Sequence, residues 1–600
     1  MKAVHSWKNL SIEKEVDDST GFLLTNKNGS YASFAFPNIS RYNGFFVFEK
    51  DMFKVLESIN IKDSGKIRQL SNYFSYVDAD FEKARARFFM PENTGSLVIE
   101  FEDNKDIELL FDIKKSYDNS PEGREFNIEI DKDRALIRYT KRNKGIVEYE
   151  FYVALKALGS FGKLDRWINK DYPLDRKRNS SPFEWFVYDC LSLKTKKIVI
   201  TACSDRKKAQ RECSKIFSSA KDLFDKEKAA IERFDFPVKA PLSIGFSYLS
   251  CINSMKGLMN DGNLFAGLPW FFQYWTRDSA VSLKALIDRG EFKLVKAMIF
   301  KLFALIAKDG NMKSRIAGAG SLDSADALGW LCLRLDQFID KLNKKGLLRK
   351  YITRAEEKAL TAKVENAVSS LIKYRTKEWL AVNDSQQTWM DTKYDDDTRQ
   401  GARIEIQALR LAIYRLAYKL TKKKKYKEYE QELRSLIYKK FWNLKYLDDG
   451  LDDFTVRPNI FLAAYIYPDF LMKEKWLQCF NYIIPELWLD WGGFSTIERY
   501  NKLFVSEYTG EDNRSYHRGD SWFWVNNYAA IVLRRLGYPN LIKKAEKIIE
   551  ASCEEILWKG TLGCHGELSS AKELRSEGCW SQLWSNASFI EFVNEFYLGS

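Results

Sequence analysis

The spacing of apolar residues changes once along this chain, and the change limits the folds that the chain can adopt. Up to about residue 204, apolar and polar residues alternate, as they do over residues 107–113. A period of two is typical of strands with one buried face. From about residue 240 onward, apolar residues recur every three or four positions, as in 402–420, which is the spacing of amphipathic helices. The sequence therefore predicts a β-rich N-terminal part and a helical C-terminal part.

Turn signals place the boundaries between these parts. Short alternating runs separated by turns such as 143–145 favour an antiparallel β-sandwich. Residues 205–233 are charged and have a helical pattern, and the Pro-containing stretch FDFPVKAPLS follows them. We predict an N-terminal β-sandwich domain, a helical linker and a helical domain, with the boundaries 1–204, 205–240 and 241–600.

Composition narrows the range of functions. The net charge of +13 is a mild excess over 600 residues, so nucleic acid ranks last among the partners considered. No window approaches 18 uncharged apolar residues, and the first residues contain no apolar core of a signal peptide, so we expect no membrane partner. The nine cysteines include no CxxC pair, which favours reduced thiols and a cytoplasmic location. The sequence does not indicate an oligomeric state.

Histidine is too scarce to supply a histidine-based zinc site or a serine–histidine–aspartate triad readily. The chain has three histidines against 82 aspartates and glutamates. We therefore expect hydrolytic chemistry, if present, to depend on carboxylates, and we expect no metal and no cofactor.

One loop of the helical part combines charge with aromatic rings. In GLPWFFQYWTRDSAVSL, Arg277 and Asp278 lie directly after Trp275. Charged side chains bind sugar hydroxyls through strong hydrogen bonds, and an aromatic ring packs on the apolar face of a sugar. The alternative is a buried ion pair at the start of a helix.

A second loop is acidic. QQTWMDTKYDDDTRQ carries Asp391 and the run Asp395–Asp397 between a tryptophan and an amphipathic helix. The alternative interpretation is a solvated loop that caps the following helix. Glycoside hydrolysis needs two separated carboxyl groups, one to donate a proton and one to activate water, so Asp391 is a candidate for one of them.

Two further loops add candidates. RSYHRGDSWFWVNNY places His517 among aromatic residues, where a packed structural histidine is the alternative. GCHGELSSAKELRSEGCWSQLWSNAS contains Glu567, Glu573 and Glu577, of which the last two are more typical of surface glutamates.

The motifs of these loops, taken in order, resemble those of one enzyme family. WTRDS, SxDAxxxW, TWMD, RxGxxxEIxAL, VRPN, YHxGxxWxW and GCxxQxWS follow one another, and GFLLTNKNGSYASFAFPNISRYNGFFV resembles the family's N-terminal pattern. Over residues 21–585 the chain resembles the amylo-α-1,6-glucosidase, or glycogen debranching enzyme, family. The resemblance implies a β-sandwich followed by an (α/α)₆ toroid, as in glucoamylases, and an inverting mechanism.

The resemblance also implies roles for individual residues. Asp391, the aspartate of TWMD, corresponds to the general acid. Glu567 corresponds to the general base, which glucoamylases place seventeen residues before the tryptophan that is Trp584 here. The remaining motif positions are expected to bind substrate: Trp275, Arg277, Asp278, Asp326, Trp389, Glu405, Arg457, His517, Trp522 and Trp584.

Some positions depart from the family pattern. Arg518 and Asp520 stand within YHRGDSWFW where the family has YHQGTVWPW, Leu322 stands where a tyrosine usually precedes the SxDA motif, and Asn43 replaces a histidine. These departures concern subsite preference, because both expected catalytic carboxylates are present.

The expected function is removal of α-1,6-linked glucose from branched α-glucans such as glycogen or limit dextrin. One alternative is a glucoamylase-like exo-glucosidase that acts on α-1,4 links. A second alternative, of another class, is a glucan-binding protein without activity.

Overall fold

The computed structural model divides into two compact units. It describes residues 1–237, 239–316 and 323–599. The first unit comprises Met1–Asp261 and Glu554–Cys564, and the second comprises Gly262–Cys553 and His565–Ser600. The first unit is dominated by strands and the second by helices, as the change of apolar spacing predicts.

The first unit is built on one large sheet. In the described part of the chain this sheet has 16 strands. Their bounds are Lys2–Trp7, Leu10–Glu15, Gly21–Thr25, Tyr31–Phe34, Gly44–Phe48, Met52–Ile61, Ile67–Asn72, Tyr76–Phe81, Arg85–Phe89, Ser96–Lys115, Arg124–Asp131, Arg134–Asn143, Ile146–Ala157, Phe161–Asp171, Glu184–Cys203 and Thr561–Leu562. Neighbours pair antiparallel, apart from Lys2–Trp7 with Ile67–Asn72 and Thr561–Leu562 with Gly21–Thr25, which pair in parallel.

Two long strands join the halves of this sheet. Ser96–Lys115 and Glu184–Cys203, of 20 residues each, pair with one another in antiparallel register. Ser96–Lys115 also pairs with Met52–Ile61, whereas Glu184–Cys203 also pairs with Ile146–Ala157. One core cluster contains buried side chains from both halves, among them Phe22, Phe45, Leu56, Ile137 and Val153. The halves therefore pack face to face, which is the predicted sandwich.

The segment 205–240, which the sequence predicts as a helical linker, lies within the first unit. Its helix Arg206–Glu232 begins where the Asp205 carboxylate accepts a hydrogen bond from the Lys208 amide. Ala209, Cys213, Ile216 and Ala220 of this helix are buried against the sheet.

The first unit also extends beyond the predicted boundary at residue 204. It includes the helix Leu242–Gly257 and the distant segment Glu554–Cys564. That segment is held because Thr561 and Leu562 pair with Gly21 and Phe22 at the edge of the sheet.

The second unit is a ring of helices. Among its described residues, six helices each pack against the next, and the last packs against the first. In ring order they are Thr276–Asp288, Ala327–Lys344, Ile404–Thr421, Asn459–Ile466, Phe523–Leu536 and Leu583–Val593. The helices that follow ring helices in the sequence are Phe292–Phe303, Leu348–Tyr351, Arg354–Tyr374, Lys424–Phe441, Lys473–Leu487 and Pro539–Trp558. A closed ring alternating with a second set of helices is the expected (α/α)₆ architecture.

Burial distinguishes the two sets of helices. In the ring helix Ile404–Thr421, every residue from Ile404 to Tyr414 is buried. The following helix, Lys424–Phe441, buries only the stripe formed by Tyr426, Leu433, Ile437 and Phe441. A helix buried all round belongs to a core, and one with a single apolar stripe covers that core.

Short elements complete the description. The short strands are Met259–Asn260, Asn263–Leu264, Gly267–Leu268, Met312–Lys313, Asp323–Ser324, Thr376–Lys377, Leu380–Ala381, Trp488–Leu489, Gly493–Phe494, Ser521–Trp522, Leu568–Ser569 and Ser581–Gln582. The short helices are Pro173–Lys177, Pro468–Phe470, Gly510–Asp512 and Asn594–Leu598. Among the described residues, no helix is long and apolar enough to cross a membrane. All nine cysteines lie at described positions, where they are buried and form no disulfide.

Candidate active site

A cavity of about 250 Å³ lies at the end of the ring where several of its helices begin. Its wall is formed by Ala266, Phe271, Trp275, Arg277, Asp278, Trp389, Asp391, Asn513, Tyr516, Trp522, Glu567, Gln582 and Trp584. The volume lies below the 300–1,000 Å³ typical of pockets for drug-sized ligands. Its size therefore suits a single sugar unit.

Short strand pairs bring distant loops together around this cavity. Gly267 pairs with Gln582, and Trp522 pairs with Leu568. A Cβ atom on Gly267 would lie 2.9 Å from the Ser581 backbone carbonyl oxygen, so glycine suits this close approach of two backbones. These pairings place side chains from both ends of the unit on one wall.

Arg277 is the central cation of the wall. Its Nε donates to both carboxylate oxygens of Asp326 at 2.8 Å. Its Nη1 donates to Asp391 Oδ2 at 3.1 Å, and its Nη2 donates to the Thr388 carbonyl at 2.8 Å. Burial works against the cation, but the charges of Asp326 and Asp391 hold the pKa of Arg277 above its usual value. Arg277 therefore forms the buried ion pair of the alternative interpretation, and it also lies on the cavity wall.

Asp391 projects into the cavity with one third of its side chain exposed. Burial raises the pKa of its carboxyl group above the usual value, and the Arg277 guanidinium opposes this effect. A raised pKa favours the protonated form that a proton donor needs.

Asp278 is more deeply buried than Asp391. Burial raises its pKa to about 7, and Arg277 opposes this shift, whereas the charges of Asp391 and Glu567 add to it. Gln582 Nε2 donates to Asp278 Oδ1 at 3.4 Å. Near neutral pH this carboxyl group therefore exchanges between its protonated and ionised forms.

Glu567 is held by two donors. The Cys579 amide donates to Oε2 at 2.9 Å, and the Tyr516 hydroxyl donates to Oε1. Burial, together with the charge of Glu567, raises the pKa of Tyr516 well above its usual value, so the phenol keeps its proton. Gly578 has a φ of +67°, and a Cβ there would lie 2.4 Å from Glu567 Oε2. Both oxygens of Glu567 act as acceptors, which suits a carboxylate that receives a proton from water.

Tryptophans form the apolar part of the wall. Trp389 meets the Trp522 ring edge to face, with ring centres 5.4 Å apart. Trp584 stacks on Trp524 at 4.7 Å. The indole nitrogens of Trp275 and Trp584 are buried and have no hydrogen-bond partner within the described part of the protein. A ligand with hydroxyl groups and apolar CH faces would match these surfaces.

Four residues expected to bind substrate lie behind the wall instead of on it. Asp326 binds Arg277, and Glu405 receives two hydrogen bonds from Arg399 at 2.7 and 3.1 Å. They hold the arginines that organise the wall and its loops.

The other two, Arg457 and His517, are equally buried. Arg457 donates to Asp397 Oδ2 at 2.9 Å and to the His517 carbonyl at 3.0 Å. His517 pairs with Thr392 Oγ1 at 2.8 Å and stacks on Trp522. Burial and the nearby arginines lower the pKa of His517 well below its usual value, so the ring is neutral.

Sequence reasoning missed some residues of the wall. Tyr516 and Gln582 lie within the motifs YHRGDSWFW and GCWSQLWS, but attention to charged side chains passed over a phenol and an amide. Ala266, Phe271 and Asn513 carry no local signal. Within the described part of the chain, no group of three or more His, Cys, Asp or Glu side chains is arranged to hold a metal ion.

The departures from the family pattern lie in different places. Asp520 is buried, accepts a hydrogen bond from Ser515 Oγ at 2.7 Å, and has a pKa raised well above its usual value by burial. Asn43 belongs to the first unit, where its side-chain oxygen accepts from the Ile39 and Ser40 amides. Leu322 lies outside the described residues.

A comparison with protein families identifies the family to which the helical unit is similar. The profile described as amylo-alpha-1,6-glucosidase matches residues 246–591, which is more than half of the chain. The chain belongs to the amylo-alpha-1,6-glucosidase family. The family membership identifies the protein as a glycoside hydrolase.

One solved structure supports the same fold. A bacterial glucoamylase complexed with acarbose is similar with a TM-score of 0.60 and 13% sequence identity, over 96% of this chain and 94% of that chain. An uncharacterized conserved protein from Thermus thermophilus has a TM-score of 0.43 and 12% identity, over 57% of this chain and 99% of that chain. No curated protein matches the chain by sequence. At these identities the glucoamylase likeness concerns the fold, and it agrees with a β-sheet unit followed by an (α/α)₆ unit.

Proposed function

We propose that this family member removes α-1,6-linked glucose from the ends of branched α-glucans such as glycogen limit dextrin. The observation that carries the proposal is the meeting of Asp391 and Glu567, from loops 176 residues apart, on one wall with Arg277. The cavity suits one glucosyl unit and is bounded by tryptophans.

In the proposed reaction Asp391 is the general acid. Its Oδ2 is held by Arg277, so Oδ1 carries the proton toward the glycosidic oxygen. As the bond from the anomeric carbon to that oxygen breaks, the oxygen takes the proton and leaves as a hydroxyl group.

Glu567 is the general base. It accepts one proton from a water molecule, whose oxygen forms the new bond to the anomeric carbon from the opposite face. Inversion follows, and the first sugar released is β-glucose. Tyr516 and the Cys579 amide orient the carboxylate for this role.

Asp278 and Arg277 are proposed to bind the hydroxyl groups of the terminal glucose. Asp278 offers carboxyl oxygens at the cavity wall, and the indole nitrogens of Trp275 and Trp584 offer donors. We further propose a cytoplasmic location, which is favoured by the lack of disulfides among the nine cysteines at described positions.

The alternative is exo-hydrolysis of α-1,4 links. The family profile names the 1,6 activity, whereas the similar solved structure is a glucoamylase. The same two carboxyl groups would serve either linkage.

The experiment is to assay purified protein on isomaltose, maltose and glycogen limit dextrin, with the Asp391→Asn and Glu567→Gln variants as controls for contaminating enzymes. Faster release of glucose from isomaltose and limit dextrin supports the proposal. A preference for maltose favours the α-1,4 alternative. Binding of glucan without release of glucose identifies the inactive binding protein.

A further inference from the structure

The loop that follows Asp391 is held by an arginine from another part of the ring. We call residues 392–399 the acid loop. Arg518 Nη2 donates to the backbone carbonyls of Thr392 at 3.0 Å and Asp397 at 3.1 Å. Its Nη1 donates to Thr392 Oγ1 at 3.3 Å. One guanidinium group therefore binds the acid loop at two points, Thr392 and Asp397.

Asp397 strengthens this attachment. Its Oδ2 lies 2.9 Å from Arg518 Nε and accepts from Arg457 Nη2 at 2.9 Å. Arg518 is 1% exposed and Arg457 is 4% exposed. Burying two guanidinium groups around one carboxylate is unfavourable unless each is well hydrogen-bonded. Stability alone therefore does not explain this arrangement.

The middle of the acid loop is its most exposed part. Residues 393–396 are exposed to solvent, and Asp395 has a φ of +52°. Loops of this kind are mobile unless their backbone is fixed by partners. At the C-terminal end of the loop, the Arg399 carbonyl accepts from Asn383 Nδ2 at 2.8 Å. The contacts of Arg518 and Arg457 hold the part of the loop that lies nearer to Asp391.

Arginine contacts hold the backbone on both sides of Asp391. On its N-terminal side, Arg277 binds the Thr388 carbonyl at 2.8 Å. On its C-terminal side, Arg518 binds the carbonyl of Thr392, the residue that directly follows it. The backbone that carries Asp391 is therefore held from both sides.

We propose that Arg518 is a positioning residue that fixes Asp391 for proton donation by holding Thr392. The inference rests on the proposed function, in which Asp391 is the general acid. Arg518 acts through the backbone and does not line the cavity. Losing it releases the acid loop while the cavity wall keeps its own side chains.

The kinetic test compares Arg518→Met, which keeps the side-chain volume, with Arg518→Lys and with Arg514→Met as the matched control. Arg514 lies in the same loop, is half exposed and pairs with Asp512. Each variant is assayed on isomaltose, whose leaving group needs protonation, and on α-glucosyl fluoride, whose leaving group needs little.

In Arg518→Met, kcat on isomaltose should fall about 100-fold, because misplacing a catalytic group by about 1 Å costs that much. On the fluoride the loss should stay below about 10-fold, and Arg514→Met should stay near wild type on both substrates. Arg518→Lys, which can still donate to a carbonyl, should fall between Arg518→Met and wild type. Equal losses on both substrates would overturn the proposal.

A second readout needs no substrate. Hydrogen exchange of the amides in 392–399 should become faster in both Arg518 variants and stay unchanged in Arg514→Met. Unchanged exchange in Arg518→Lys and Arg518→Met would refute the attachment itself. Inactivity of the wild type toward every glucoside, with faster exchange in the variants, would refute the proposed function and leave the attachment of the loop established.

Discussion

Asp278 gives the sharpest prediction, because the structure places a carboxyl group where its charge is unfavourable. Burial raises its pKa from 3.8 to about 7. The folded protein therefore holds this proton more tightly than the unfolded chain does. The contribution of this proton to the free energy of unfolding is fully present below about pH 4. It declines as the pH rises and is lost above about pH 7.

The size of the effect follows from that shift. About three pKa units at 1.36 kcal/mol each amount to about 4 kcal/mol against the ionised form. An asparagine side chain at this position would imitate the neutral carboxyl group at every pH. Asp278→Asn should therefore raise the free energy of unfolding by up to about 4 kcal/mol at pH 8, and by about 1–2 kcal/mol at pH 5.

The assay is urea unfolding at pH 5 and pH 8, followed by tryptophan fluorescence, for wild type, Asp278→Asn and Asp396→Asn. Asp396 is an exposed aspartate of the acid loop and serves as the control for losing one negative charge. The advantage of Asp278→Asn should grow with pH, and the control should not change with pH. An advantage that is absent at pH 8, or equal at the two pH values, would refute the reasoning. The same variant should lose glucosidase activity, since a carboxylate that binds sugar hydroxyls is gone.

Three more predictions concern other groups. Asp391→Asn should slow isomaltose hydrolysis far more than α-glucosyl fluoride hydrolysis, while Glu567→Gln should slow both alike; equal losses in Asp391→Asn would move the acid role elsewhere. Tyr516→Phe removes a donor to Glu567, so the acidic limb of the kcat/KM profile should shift to higher pH, and an unmoved limb would contradict this. Burial lowers the pKa of Lys114 from 10.5 to about 8. Lys114 therefore binds a proton less readily in the folded protein than in the unfolded chain. The free energy of unfolding decreases as the pH falls from 10.5 toward 8. Lys114→Met should therefore raise the free energy of unfolding by up to about 3 kcal/mol at pH 7 and change it little at about pH 11, as urea unfolding at both pH values would measure.

The sequence predicts the fold class because the period of apolar residues is a local property. It does not predict the path of the chain where distant segments meet. Thr561 and Leu562 pair with Gly21 and Phe22 across about 540 residues, and no local pattern announces that return. The helix Arg206–Glu232 was expected in a linker because its surface is charged, yet its narrow stripe of Ala209, Cys213, Ile216 and Ala220 suffices to seat it on the sheet.

The site was predictable to a similar extent. Motif positions identify the loops that meet at the cavity, because those loops begin the ring helices. Motif positions do not distinguish the residues that line the cavity from the residues buried behind them. Glu405 and Arg457 belong to motifs as clearly as Asp391 does, but their charges are used in pairs with Arg399 and Asp397. Tyr516, which contacts Glu567, was passed over because a tyrosine among aromatics gives no charge signal.

The charges of the wall link stability to function. Among the described residues, the wall of the cavity holds Arg277 and three carboxyl groups, those of Asp278, Asp391 and Glu567. Burial raises the pKa of Asp278, and the charges of Asp391 and Glu567 add to this effect, so an ionised Asp278 is unfavourable in the folded protein. Glycoside hydrolysis develops positive charge at the anomeric carbon in its transition state, and preorganised negative groups favour that charge most strongly where water is excluded. The negative charge of Asp278 that destabilises the free protein is therefore available to the transition state, which is why Asp278→Asn is expected to gain stability and lose activity together.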